Sequence, residues 1–374
     1  MENNFEKISF LNAEAIENKE EMERKEKLKD VYEDLFEREL FPLKVLQGSE
    51  IIDLTADKEL YGVTSKRPFV VLEVGRIGEI DENKEIKRVI YKGEIKDAGP
   101  FQSIKKEEII YRDVLPEIYK NLPENIREKV AFPRLIDVIK RNGETKAIIL
   151  EKLDGIICGD HNTSKESIWD KKDIETICCL IKEFQKIDPE EIKKNFPELP
   201  ERDFLKVYKE RLKERIEPVR KLLGEEYEKK MKELLQISEE IIEKQASTLL
   251  SEDIFCFNTI KMPNGRLGFI DWERPYIGKD VSADYGKLIS RLWTNPELQK
   301  EAIKTALEIN QENPYFKDML RASLVLLEGG HMFRHYFKRL EDDDLRKRKE
   351  AEKAVGVFKK LFKDILDNKG IWQE

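Results

Sequence analysis

Read along the chain, the apolar positions fall into two textures. Between residues 49 and 151 they come in short runs separated by turn residues. Ile51, Ile52 and Leu54 form one run, and Phe69 to Val74 and Lys87 to Gly93 form two more. Leu135 to Ile139 and Ala147 to Glu151 follow, with Asn142-Gly143 as a hairpin turn between them. Such runs bounded by Gly, Asn and Ser predict strands in an antiparallel arrangement. One helical pattern interrupts them, residues 104–115, with Ile104, Ile109, Ile110, Val114 and Leu115 at helical spacing. From Lys152 onward helical spacing dominates. Helices are predicted over 173–187, 204–223, 226–244, 281–293, 296–310, 314–339 and 345–366. Residues 12–40, rich in Glu and Lys, predict one or two solvated helices.

The pattern divides the chain into an N-terminal helical extension (1–48), a small lobe of five strands and one helix (49–151) and a mostly helical lobe (152–374). The stretch Leu249 to Leu288 breaks the helical texture. It reads as a loop, a short strand, the turn Asn264-Gly265 and a second strand ending in Asp271. Asp253 and Asn258 stand five apart, and Asp271 follows thirteen residues later. Two carboxylates and one amide at neighbouring strand ends suit a hard divalent cation and phosphate chemistry, with a second carboxylate left to orient a hydroxyl.

Composition changes the picture little. Lys and Arg total 69 against 77 Asp and Glu, a net charge of -8, and the two signs are mixed. No basic stripe points to nucleic acid. The four cysteines, Cys158, Cys178, Cys179 and Cys256, form no CxxC pair. A reduced, cytoplasmic protein is expected. No apolar run approaches the length of a membrane span, and no basic start with an apolar core marks a signal peptide. His331 and His335 are four apart on a predicted helix but have no metal-ligand partner at suitable spacing. A packed or solvated pair is the reading for them. The acidic run Glu341 to Asp344 reads equally well as a solvated helix end.

The order of these features resembles the aminoglycoside phosphotransferase and choline kinase-like family, within the protein kinase-like fold. The resemblance covers about residues 50 to 295. It is carried by YGVTSKRPF, RVIYK, KKEEIIY, AIILEKLDG, SEDIFCFN, FIDWE and GKDVSAD. It implies a bilobal α+β fold and a phosphotransferase that moves the γ-phosphate of ATP or GTP, with Mg²⁺, to a hydroxyl of an aminoglycoside, amino-alcohol or sugar-like acceptor. In that frame Asp253 matches the catalytic Asp, and Asn258 and Asp271 match the metal ligands. Lys92 matches the strand lysine on the phosphates. Glu107 is its partner, with Lys96 and Glu108 as competitors in register. Gly62 to Ser65 match the turn over the phosphates. Glu151 to Leu153 match the connector whose backbone holds the nucleobase edge, and Asp284 a support for the catalytic loop.

Two departures stand out. Ser251 occupies the position of a family His, and Gln185 that of a second. Ser251 leaves a nucleotide-binding pseudokinase as an alternative. A protein Ser/Thr kinase is disfavoured, because Trp272-Glu273 follow Asp271 and no Ala-Pro-Glu segment is present.

Overall fold

The computed structural model describes residues 40–42, 69–76, 87–94, 103–159, 168–254 and 256–373. Gly62, Ser65, Lys96, the strand expected at Ile51 to Leu54 and nearly all of the N-terminal extension lie outside them. In chain order the strands are β1 (Leu40–Pro42), β2 (Phe69–Arg76), β3 (Lys87–Gly93), β4 (Val130–Ala131), β5 (Leu135–Arg141) and β6 (Glu144–Glu151). Then come β7 (Ile156–Ile157), β8 (Thr248–Leu250), β9 (Thr259–Lys261), β10 (Leu267–Phe269) and β11 (Tyr276–Gly278). Helix α1 (Ile104–Ile109) runs through a π-turn (Ile110–Val114) into α2 (Leu115–Asn121), and α3 (Glu124–Arg127) follows. The later helices are α4 (Lys171–Phe184), α5 (Pro189–Lys193), α6 (Phe204–Leu223), α7 (Glu225–Ile242) and α8 (Ala283–Arg291). The last four are α9 (Pro296–Ile309), α10 (Phe316–Ala322), α11 (Glu328–Arg339) and α12 (Leu345–Leu366).

Two compact units result: residues 1–96 with 134–152, and residues 97–133 with 153–374. The helix expected in the small lobe, α1, packs with the helical unit. The residues expected to close the N-terminal helices also differ, since Leu40–Pro42 is a strand.

The first unit is a sheet of order β1-β2-β3-β6-β5, and each described pair is antiparallel. Asn142 and Gly143 both have positive φ, 54° and 80°. That is the backbone of a two-residue hairpin whose twist matches its strands, and Asn-Gly is the pair that adopts it most readily. Ala147, Ile148, Ile149 and Leu150 of β6 are all buried, on both faces of this interior strand.

The second unit is built around α4, whose Ile174, Ile177, Leu180, Ile181 and Phe184 are fully buried. Asp170 caps its start, accepting from Asp173 N–H at 2.9 Å while Asp173 returns the bond to the Asp170 N–H. Among the described residues no helix is long and apolar enough to cross a membrane. Two short sheets hold the loop-and-hairpin stretch: β4-β10-β9-β7, and the antiparallel pair β8 and β11. The expected turn is present, with Gly265 at φ 82° and Met262 N–H bonded to Arg266 C=O at 2.9 Å.

Helix α8 follows this stretch and is buried from Ala283 to Ser290. It approaches the π-turn Ser323–Leu327 so closely that a Cβ on Gly286 would stand 2.1 Å from Ser323 Oγ and 3.0 Å from Ser323 Cβ. Gly286→Ala is therefore expected to cost about 1–3 kcal/mol of stability by overpacking, read by urea unfolding. An unchanged midpoint would mean that the helix can shift.

Candidate active site

Strand β8 ends at Leu250 and delivers Ser251, Glu252 and Asp253 into a loop whose shape is set from a distance. Glu252 is left-handed, at φ 60°. Asp284, on the first turn of α8, holds it there. One carboxylate oxygen accepts from Ser251 N–H at 2.8 Å and from Ser251 Oγ at 3.0 Å. The other accepts from Glu252 N–H at 2.8 Å. Burial pushes the Asp284 carboxyl up to about 6 in spite of these three donors. The hydroxyl of Ser251 thus ties the loop to α8. The Glu252 side chain turns outward to a two-point pair with Arg202, at 3.0 and 3.2 Å. Arg202 itself lies 4.1 Å over the ring of Tyr276.

Asp253 follows with its side chain 11% exposed. Its Oδ1 accepts from Lys287 Nζ at 3.0 Å. Its Oδ2 faces Arg274 Nε at 3.5 Å. Burial pushes this carboxyl above its usual range; Lys287 and Arg274 pull it back, while Asp271 and Glu252 push with the burial. Lys287 shows the mirror image. Burial pulls it down, but Asp253, Glu328 and Glu252 leave it raised. Each group favours the charged form of the other. Sequence reasoning missed Lys287 and Arg274. A signal existed for the first: Asp284 and Lys287 stand three apart and are the charged residues of the stretch 281–290.

Asn258 closes a short 3₁₀ turn (Cys256–Asn258) and is 4% exposed. Its Nδ2 donates to the Asp253 carbonyl at 3.2 Å, which turns its Oδ1 the other way. Its own carbonyl accepts from Ile270 N–H at 3.0 Å, and Thr259 pairs with Phe269. The residue after Ile270 is Asp271, so the pairing of β9 with β10 brings Asn258 and Asp271 to adjacent strand ends. Asp271 is left-handed, at φ 64°, a conformation that costs an ordinary residue on the order of 1 kcal/mol or more and that Asp tolerates better than most. The donor set is one carboxylate and one amide oxygen. This fits Mg²⁺, which binds one or two carboxylates and takes its remaining ligands from phosphates and water.

The segment after Asp271 is pinned from α1. Lys106 is fully buried and donates to the Pro275 carbonyl at 3.1 Å. Burial lowers its pKa to about 8, opposed by Glu107, Glu273, Glu252 and Asp253. Nothing in the sequence separates Lys106 from its neighbours. Glu107 is buried beside it, whereas Glu108 is bonded to Arg112 one turn on. Trp272 is core. It stacks on Phe184 at 5.4 Å, meets Phe132 edge-on at 5.7 Å and donates to the Phe269 carbonyl. Gln185 donates to the Val281 carbonyl at 2.7 Å, tying the end of α4 to the turn before α8.

Other expected site residues belong to the first unit. Lys92, on β3 opposite Ile148, is 6% exposed. Glu151 ends β6. Its N–H donates to the Arg134 carbonyl at 2.9 Å, and its carboxylate pairs with Arg134. The Glu151 amide is therefore already bonded within the first unit. Leu153 packs with Ala131 and Ile260 in an apolar cluster of the second unit.

No family model matches the chain, and no curated protein matches its sequence significantly. Known structures do. The crystal structure of an aminoglycoside phosphotransferase from Alicyclobacillus acidocaldarius is similar at a TM-score of 0.53 and 10% identity, over 83% of this chain and 94% of that one. A GDP complex of an aminoglycoside 2'-phosphotransferase variant is similar at 0.47 and 13%, over 82% and 90%. The Plasmodium vivax ethanolamine kinase is similar at 0.42 and 12%, over 79% and 80%. The fold is that of the Alicyclobacillus aminoglycoside phosphotransferase, a mixed α and β fold rich in helix. The resemblance stated from the motifs holds at this level.

Proposed function

We propose that this chain is a kinase-like small-molecule phosphotransferase that moves the γ-phosphate of ATP or GTP to an acceptor hydroxyl. One observation carries the reading: in one unit Asn258 bonds the Asp253 carbonyl, and its own carbonyl accepts from Ile270 N–H, one residue before Asp271. In this reading Asp253 orients the acceptor. Lys287 occupies its Oδ1, so Oδ2, faced only loosely by Arg274, is the oxygen left to a hydroxyl. The two cations oppose the burial that raises this carboxyl, favouring the ionised form that a proton acceptor needs. Asn258 Oδ1 and Asp271 would hold Mg²⁺, which supplies charge neutralisation at the phosphates. Lys92 and Glu107 are assigned to the nucleotide. Gly62 and Ser65 are assigned to the covering turn, and Leu153 to the nucleobase side.

The test is nucleotide consumption with Mg²⁺ across hydroxylated acceptors. Asp271→Ala is expected to weaken Mg-nucleotide binding on the order of tenfold or more, because a carboxylate contributes a charge that water cannot replace. Titration calorimetry with and without Mg²⁺ measures it. Equal Mg-dependent binding in both proteins would remove Asp271 from the metal site.

A further inference from the structure

Behind the loop the second unit buries charges that phosphoryl transfer does not use. Arg215, on α6, is 1% exposed. Its guanidinium lies against α11 at Gly330, where a Cβ would stand 2.7 Å from Arg215 Cδ and 3.0 Å from Nε. Only glycine leaves that room. Neither Nε nor Nη1 of Arg215 has a hydrogen-bond partner. Burial and the neighbouring Arg211 pull its pKa down to about 10, and Glu328 and Glu214 offset this only in part. Glu214 is itself taken, by Arg334 at 2.7 Å and Arg211 at 3.2 Å. A guanidinium out of water with open donors is expensive, and an anion is the group that removes the expense.

The surroundings have the same sign. His331, one turn along α11 from Glu328, is exposed; partial desolvation, then Arg215, Arg291 and Arg211, lower its pKa, and Glu328 opposes them. Arg291 stands one turn after Lys287 on α8, the lysine that bonds Asp253. Next to Gly330 on α11, Gly329 faces α8, where its Cβ would stand 3.4 Å from Ser290 Oγ, so α11 lies against both Arg215 and the helix that carries Lys287 and Arg291.

We propose that Arg215, Arg291 and His331 bind an anionic group, carboxylate or phosphate, on the acceptor whose hydroxyl meets Asp253. This rests on the phosphotransferase reading. A polycationic acceptor would set its ammonium groups against Arg215 and Arg291 and is disfavoured by the same charges.

The test uses the full chain without nucleotide. Inorganic phosphate and glycolate are titrated by calorimetry at constant ionic strength into wild type, Arg215→Met, Glu328→Gln and, as a surface control on the same helix, Arg220→Met. One of the two probes is expected to bind wild type, and which one does so separates phosphate from carboxylate. Arg215→Met is expected to weaken it on the order of tenfold or more. Arg220→Met is expected to leave it unchanged. Glu328→Gln removes the carboxylate that competes for Arg215 and is expected to tighten binding severalfold; it carries the test if Arg215→Met does not fold. Binding of neither probe, equal binding by wild type and Arg215→Met, or unchanged affinity in Glu328→Gln overturns the proposal. Loss of Mg-dependent nucleotide binding, measured separately, would instead overturn the phosphotransferase reading. In the acceptor assay, turnover confined to cationic substrates would also overturn the anion site.

Discussion

Asp253→Asn is expected to lower phosphoryl transfer on the order of 10²–10⁴-fold, the range in which a positioned acid–base group contributes, with nucleotide affinity nearly unchanged. The asparagine keeps the shape of the site and still offers an oxygen to Lys287, now 3.0 Å from Asp253 Oδ1. What it loses is the basicity that draws a proton from the acceptor. Asp253→Ala would be a poorer probe. It would leave Lys287, 11% exposed at its side chain, without its carboxylate, and breaking one side of a buried pair costs about 3–5 kcal/mol. Steady-state rates paired with nucleotide titration decide the matter. If affinity falls and turnover per bound complex does not, Asp253 binds nucleotide and is not the group that orients the acceptor.

The second large effect concerns stability. Asp284→Ala is expected to destabilise the fold by about 3–5 kcal/mol, since it strands two buried N–H groups and one hydroxyl, each costing about 1–3 kcal/mol when left open. Those donors are Ser251 N–H, Ser251 Oγ and Glu252 N–H. Activity is expected to fall further than stability, because the left-handed Glu252 immediately precedes Asp253. Asp284→Asn has a pH signature. The folded-state pKa, pushed up to about 6 by burial, lies above the ordinary carboxylate value. The native state then binds this proton more tightly than the unfolded chain. The stability linked to Asp284 is present in full below the unfolded value and is lost as pH rises through 6. The asparagine variant lacks this slope, so the stability gap between wild type and variant should be wider at pH 5 than at pH 7 in urea unfolding. A wider gap at pH 7 would mean that the three donors outweigh burial.

Ser251 changes meaning in the folded chain. From the sequence it is a departure that favours a pseudokinase. In the fold its hydroxyl and its N–H both bond Asp284, so a smaller residue does the tying. Trp272, the residue after Asp271, belongs to the core and is packed against Phe184 and Phe132. Arg215 passed unnoticed, because in a chain with 39% charged residues one more arginine on a helix carries no mark.

By itself the sequence determined the short-range features. Apolar spacing placed helices at 204–223 and 345–366, where α6 and α12 lie, because periodicity depends only on neighbours along the chain. Asn142-Gly143 and Asn264-Gly265 marked their turns because few other residues adopt positive φ. The tertiary structure alone decided which charges meet. Lys106 reaches Pro275 across 169 residues, Asp284 reaches back 33 to Ser251, and Lys287 finds Asp253. Every Lys and Glu is equally able to pair in water. Only burial, which makes an unpaired charge or an open N–H costly, selects one partner from the many.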